Sequence, residues 1–106
     1  MVAFITELNN DNYKEFIKEG VVLVDIWASW CNPCRTISPI VDKVSADYQG
    51  KAKVGKLEAD PNRELVSELG IKNIPTLLVY KDGEIVDRLV GAVQEDKITE
   101  SLDAQI

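Results

Sequence analysis

The stretch that most constrains the chain is Val21-Val22-Leu23-Val24-Asp25-Ile26, a nearly continuous β-branched run entered from Gly20. A strand with one face in water alternates apolar and polar side chains, whereas this one is apolar on both faces and suits the centre of a covered sheet. The chain therefore has to supply cover above and below. Only Asp25 interrupts the run.

The flanking segments provide that cover. Residues 2 to 8 read as a short strand, and the polar cluster Asn9 to Asn12 is suited to cap a helix that carries Tyr13, Phe16 and Ile17 on one face and stops at Gly20. From Pro33 onward, Ile37, Ile40, Val41, Val44 and Tyr48 recur at helical spacing up to Gly50, with Pro39 predicting a kink. A strand follows over residues 52 to 59. Asp60-Pro61 then reads as the N-cap and first-turn proline of a helix bearing Leu65, Val66 and Leu69 and closed by Gly70. Strands over 76 to 80 and 84 to 90 are joined through Lys81-Asp82-Gly83, a hairpin signal, and Ile98 and Leu102 mark a last helix over 94 to 104. The order β-α-β-α-β-α-β-β-α predicts an α/β sandwich whose first three strands are parallel through right-handed crossovers. A chain of 106 residues buries roughly 60 to 70% of its unfolded surface, so one domain over residues 1–106 is expected, with no need of a staple.

Eighteen acidic residues against twelve basic ones give a formal charge of −6. Nucleic acids and anionic membranes are met by basic surfaces, so neither is an expected partner. The acidity itself reads as a solvated surface. Met1 to Asn10 lacks the basic flank and apolar core of a signal peptide, and no run approaches the ~20 apolar residues of a membrane helix, so a cytoplasmic protein is expected.

Both cysteines of the chain lie in Cys31-Asn32-Pro33-Cys34, between the predicted central strand and the predicted helix. At this spacing in a first helical turn they share one face and can form a short disulfide, whose closed ring is too small to stabilise the fold much. A zinc site would need about four ligands, and with no histidine and no second cysteine pair it would require a dimer or several carboxylates. An ordinary buried pair fits poorly with Trp30 and Pro33, which suggest a surface turn. Redox chemistry is the better reading. A helix N-terminus offers free N–H donors and the positive end of the dipole, which stabilise a thiolate. Cys31, outermost, is the expected nucleophile; Cys34, one turn inside and more shielded, is the expected resolving thiol. The Asn32 amide is a candidate donor to the Cys31 thiolate. Asp25, if buried, must titrate upward or find a cation, and if it lies at an exposed strand end it needs neither.

The segment Trp27-Ala28-Ser29-Trp30-Cys31-Asn32-Pro33-Cys34-Arg35 resembles the active-site segment of the thioredoxin family. The resemblance covers nearly the whole chain, continuing through Asp25, Pro39, Lys56, Asp60-Pro61, Ile74-Pro75-Thr76, Asp82-Gly83 and Val90-Gly91-Ala92. It implies a thioredoxin fold, a central five-stranded mixed sheet flanked by four helices, with a cis bond before Pro75 facing the cysteines. A shallow substrate groove is implied at Trp30, Ile74, Pro75, Gly91 and Ala92, flanked by Asn32 and Pro33, in which a peptide pairs with exposed backbone beside Pro75; Gly91 reads equally as turn material. Trp27 is expected to pack in the core. Asp25 is implied as the proton acceptor for Cys34, with Lys56 nearby.

The implied activity is reduction of disulfides in other proteins by dithiol-disulfide exchange, with rereduction by an NADPH-dependent thioredoxin reductase, no cofactor on this chain, and a monomeric state. The family usually has glycine where this chain has Asn32, and more often lysine where it has Arg35, which bears on the reduction potential and the choice of reductase. A more oxidising exchanger serving one dedicated partner, or a non-redox binding subunit, are the alternatives.

Overall fold

The apolar run becomes β2 (Val21–Trp27), the middle strand of a five-stranded sheet in a computed structural model that describes residues 4–106. The other strands are β1 (Ile5–Leu8), β3 (Lys53–Glu58), β4 (Thr76–Lys81) and β5 (Glu84–Val90), and the spatial order is β1-β3-β2-β4-β5. As expected, the first three strands are mutually parallel; β4 runs antiparallel to β2, and β5 antiparallel to β4. Four helices flank the sheet: α1 (Tyr13–Ile17), α2 (Asn32–Asp47), α3 (Arg63–Glu68) and α4 (Glu95–Asp103). Val2 and Ala3, expected at the start of β1, lie outside the described residues.

Period-two alternation along β2 divides the core into two layers. Val21 and Leu23 pack with Ile37, Val41 and Val44 of α2 and with Ile98 and Leu102 of α4. On the opposite face, Val22, Val24 and Ile26 pack with Tyr13 of α1, while Leu65, Val66 and Leu69 of α3 and its C-terminal end close over them. Each fully buried aliphatic side chain contributes about 1.5–3 kcal/mol. Asp25 shares the parity of Val21 and Leu23 and is therefore carried onto the α2 side.

Local chemistry differs from expectation at two helix starts. Asn12 precedes α1 but makes no side-chain cap to it; the Asn9 side chain instead accepts from the N–H groups of Asp11 and Asn12 at 2.8 and 3.1 Å, closing the turn one step earlier. Asp60 and Pro61 do not begin α3 either. They form a separate 3₁₀ turn, Asp60–Asn62, in which the Asn62 N–H bonds back three residues to Ala59 and its side-chain amide to the Glu58 carbonyl. The Asp82-Gly83 hairpin is as predicted, with φ of 50° and 87° at its two residues. Asp82 also ties the hairpin to the entrance of β2: its carboxylate accepts the Gly20 N–H at 2.8 Å, and its own N–H reaches the Gly20 carbonyl at 3.0 Å. No helix among the described residues is long and apolar enough to cross a membrane.

Candidate active site

β2 ends at Trp27, the chain turns through Ala28 to Trp30, and α2 starts at once, so both cysteines sit where strand end meets helix start. Cys31 is the N-cap of α2: its backbone is extended (φ −94°, ψ 107°), and its sulfur accepts the Cys34 N–H at 3.2 Å. Asn32 and Pro33 fill the first turn, where a missing proline N–H costs no helical bond. Cys31 and Cys34 are joined by a disulfide with Cα atoms 5.4 Å apart.

Residue burial alone does not separate the two cysteines. Cys31 and Cys34 are each 4% exposed, because Ala28, Trp27 and Ile74 pack around the pair. What distinguishes them is the helix: only Cys31 stands outside the first turn and receives its N–H. Cys31 Sγ also lies 3.7 Å from the Ile74 carbonyl oxygen. A disulfide sulfur has no proton, so in this oxidised form the approach is a contact rather than a hydrogen bond. Asn32 is exposed, and among the described residues its amide makes no hydrogen bond to the Cys31 sulfur.

Asp25 is 2% exposed, which excludes the exposed strand-end reading. It lines a cleft of about 190 Å³ together with Trp27, Ala28, Cys34, Ser38 and Lys56. Its Oδ1 has no hydrogen-bond partner. Burial pushes the carboxyl pKa up from 3.8 to about 6; the Lys56 ammonium opposes the rise and the Asp42 carboxylate adds to it. Lys56 stands opposite Asp25 in the β2–β3 register, yet its ammonium is directed to Ser38 Oγ at 3.0 Å and to Asp42 Oδ1 at 3.8 Å. Ser38 and Asp42 drew no notice in the sequence, although Cys34, Ser38 and Asp42 are spaced i, i+4, i+8 and so share one stripe of α2. Trp27, half-buried, packs against the cluster of Ala28, Cys31 and Cys34 and also lines this cleft.

The remaining residues surround the disulfide unequally. Trp30 is 64% exposed, and its indole N–H donates to Asp60 Oδ2 at 3.0 Å, which gives the 3₁₀ turn a part in orienting the ring. Arg35 points back to the Ser29 carbonyl at 3.0 Å. The Ile74–Pro75 peptide bond is cis. Pro75 is buried, and its carbonyl is not open: it accepts the Gly91 N–H at 2.9 Å, leaving Ile74 as the residue whose backbone faces the cysteines. Gly91 has φ of 90°, so the turn by itself accounts for glycine there, and Ala92 is exposed beside it.

Comparison with known proteins places this geometry. The family model described as Thioredoxin matches residues 4–104. A thioredoxin from Staphylococcus haemolyticus is 41% identical over 102 residues, covering 96% of this chain and 98% of that protein; one from Staphylococcus aureus (strain Mu50) is 38% identical over the same shares. The crystal structure of Malassezia sympodialis thioredoxin (Mala s 13) superposes with a TM-score of 0.84 at 28% identity, covering 95% of this chain and 90% of that one. The family match over nearly the full length, together with a bonded Cys-x-x-Cys pair at the start of α2, shows that the chain belongs to the thioredoxin family and is a protein thiol-disulfide oxidoreductase.

Proposed function

We propose that the chain is a dithiol reductase in which Cys31 attacks and Cys34 resolves. The observation that carries this reading is the Cys34 N–H donated to Cys31 Sγ at 3.2 Å. Reduction turns that acceptor into a thiolate, and a charged acceptor at a helix N-terminus makes the stronger bond. The Cys31 thiolate attacks one sulfur of a substrate disulfide and the other leaves as thiolate. Cys34 then gives its proton to the Asp25 carboxylate, directly or through water in the cleft, and its sulfur attacks Cys31 Sγ. The second substrate sulfur is released, two electrons have passed to the substrate, and the Cys31–Cys34 disulfide is formed.

Asp25 suits the acceptor role because its raised pKa makes it a stronger base than an ordinary carboxylate near neutral pH. Substrate contacts fall to Trp30, Asn32, Pro33, Ile74 and Ala92 around the disulfide, with Pro75 and Gly91 shaping the groove, and Lys56 acts on Asp25 through its charge. The substrates are proteins with accessible disulfides, and a thioredoxin reductase drawing on NADPH returns the pair to the dithiol. The reading takes residues 1–106 as one domain, acting as a monomer in the cytoplasm. A non-redox binding subunit is not favoured, since the chain keeps both cysteines as a bonded pair in the position the chemistry requires.

The test is trapping. Cys34→Ser accumulates mixed disulfides with protein substrates on nonreducing gels and Cys31→Ser does not; trapping by Cys31→Ser alone reverses the two roles.

A further inference from the structure

Asp25 and Lys56 face each other across β2 and β3 and point to the same side of the sheet, yet they are not paired. The Lys56 ammonium lies 3.0 Å from Ser38 Oγ, while Asp25 Oδ1 remains buried without a partner. A buried acceptor left unbonded beside a cation is costly, so something must hold the cation elsewhere. We infer that Ser38 is a positioning residue for the resolving half-reaction: its hydroxyl holds the Lys56 ammonium against α2 and so keeps the Asp25 carboxylate free to take a proton from Cys34. This rests on Asp25 as the proton acceptor.

The surroundings of Asp25 leave few other candidates. β3 contributes Lys56, and α2 contributes Cys34, Arg35, Ser38 and Asp42. Arg35 is engaged by the Ser29 carbonyl. β4 presents only Leu77 opposite Asp25. Asp42 is the second partner of Lys56, but at 3.8 Å and with a side chain 37% exposed it is a weak, solvent-screened hold. Without the Ser38 hydroxyl the ammonium is one acceptor short. The available acceptor with unused capacity in a low-dielectric setting is Asp25, where an ion pair is stronger than at the surface. Pairing there stabilises the carboxylate and weakens it as a base.

The experiment uses the full chain. The Asp25 side-chain carboxyl carbon is titrated by NMR in the parent, Ser38→Ala, Ser38→Thr, Lys56→Met and Ser38→Ala/Lys56→Met proteins, and the rates of attack by Cys31 and of resolution by Cys34 are followed against pH. Ser38→Ala lowers the Asp25 midpoint by about one pH unit, a tenfold change in its ionised-to-neutral ratio at fixed pH. Ser38→Thr, which keeps a hydroxyl, retains the parent midpoint. In the Lys56→Met background Ser38→Ala has no effect. The acid limb of the resolution rate follows the midpoint downward and its plateau falls, while the rate of attack by Cys31 is unchanged. An unmoved or raised midpoint in Ser38→Ala, or an equal shift when Lys56 is methionine, overturns the positioning role. A lowered midpoint with an unmoved resolution rate overturns Asp25 as the acceptor, and with it any part for Ser38 in the reaction.

Discussion

Replacing Asp25 with asparagine should stabilise the protein at neutral pH, and the gain should be set by pH. The folded carboxyl has its pKa raised from 3.8 to about 6, chiefly by burial. A group with a raised folded pKa binds its proton more tightly in the native state, so its favourable contribution is present below the unfolded pKa and is lost as pH rises through the folded one. The window is therefore between about pH 4 and pH 6. At 1.36 kcal/mol per unit the shift corresponds to about 3 kcal/mol. Asparagine does not titrate and escapes that loss, but its amide sits where Oδ1 already lacks a partner, which costs about 1–3 kcal/mol at every pH. The clean quantity is the difference between two pH values, in which this fixed cost cancels. Urea melts of the oxidised parent and Asp25→Asn at pH 4 and pH 7.5 should show the variant gaining about 2–3 kcal/mol relative to the parent over that interval, with unchanged m-values. A difference independent of pH, or one that moves in favour of the parent as pH rises, would refute the assignment of a raised carboxyl.

Gly55→Ala should destabilise by about 1–3 kcal/mol in thermal melts without slowing attack by Cys31, because an added Cβ meets Leu8 Cδ1 at 2.6 Å and the Phe16 ring at 2.9 Å on the face away from the disulfide. Tyr13→Phe breaks the buried 2.7 Å hydroxyl pair with Tyr80 and should cost about 1–2 kcal/mol; the Tyr13→Phe/Tyr80→Phe double variant should cost less than the sum of the single ones, as a denaturation cycle would show. The disulfide form has no bond from the Asn32 amide to Cys31 Sγ, so a bond made only to the thiolate favours the reduced form; Asn32→Gly should then make the protein more reducing when equilibrated against a reference dithiol, and an unchanged or higher potential would remove Asn32 from that role.

The layers of the fold were legible because its decisive signals are periodic. An apolar run on β2 demands cover on both faces, and the i, i+4 spacing of Ile37, Val41 and Ile98, Leu102 supplies it on the side that carries the cysteines. The disulfide was legible because the two cysteines are three residues apart. Less visible were features that depend on where one atom ends. Asn9 and Asn12 are equally good capping residues, and only the loop path from β1 selects Asn9. Asp60-Pro61 has the composition of an α-helix start, but the buried Asn62 amide on the Glu58 carbonyl diverts it into a tighter turn. The equal burial of Cys31 and Cys34 depends in part on Ile74, forty or more residues away in the chain, which packs with Trp27 against the cluster that holds the pair. Likewise, the Asp25–Lys56 register was within reach of sequence reasoning, whereas the diversion of the ammonium to Ser38 required a side-chain path.

The N–H that α2 gives to Cys31 makes the redox couple and the helix linked functions. Any change that stabilises the first turn of α2 more in the dithiol than in the disulfide must make the protein a weaker reductant by the same free energy, and about 1.4 kcal/mol of such a difference is worth about 30 mV in a two-electron couple. The obligation is reciprocal: a shift in potential must reappear as a difference in stability between the two redox forms. For α2 this means that residues far from sulfur, in so far as they set the alignment of the Cys34 amide, belong to the thermodynamics of electron transfer, and calorimetry of the oxidised and reduced proteins measures the same quantity as the redox titration.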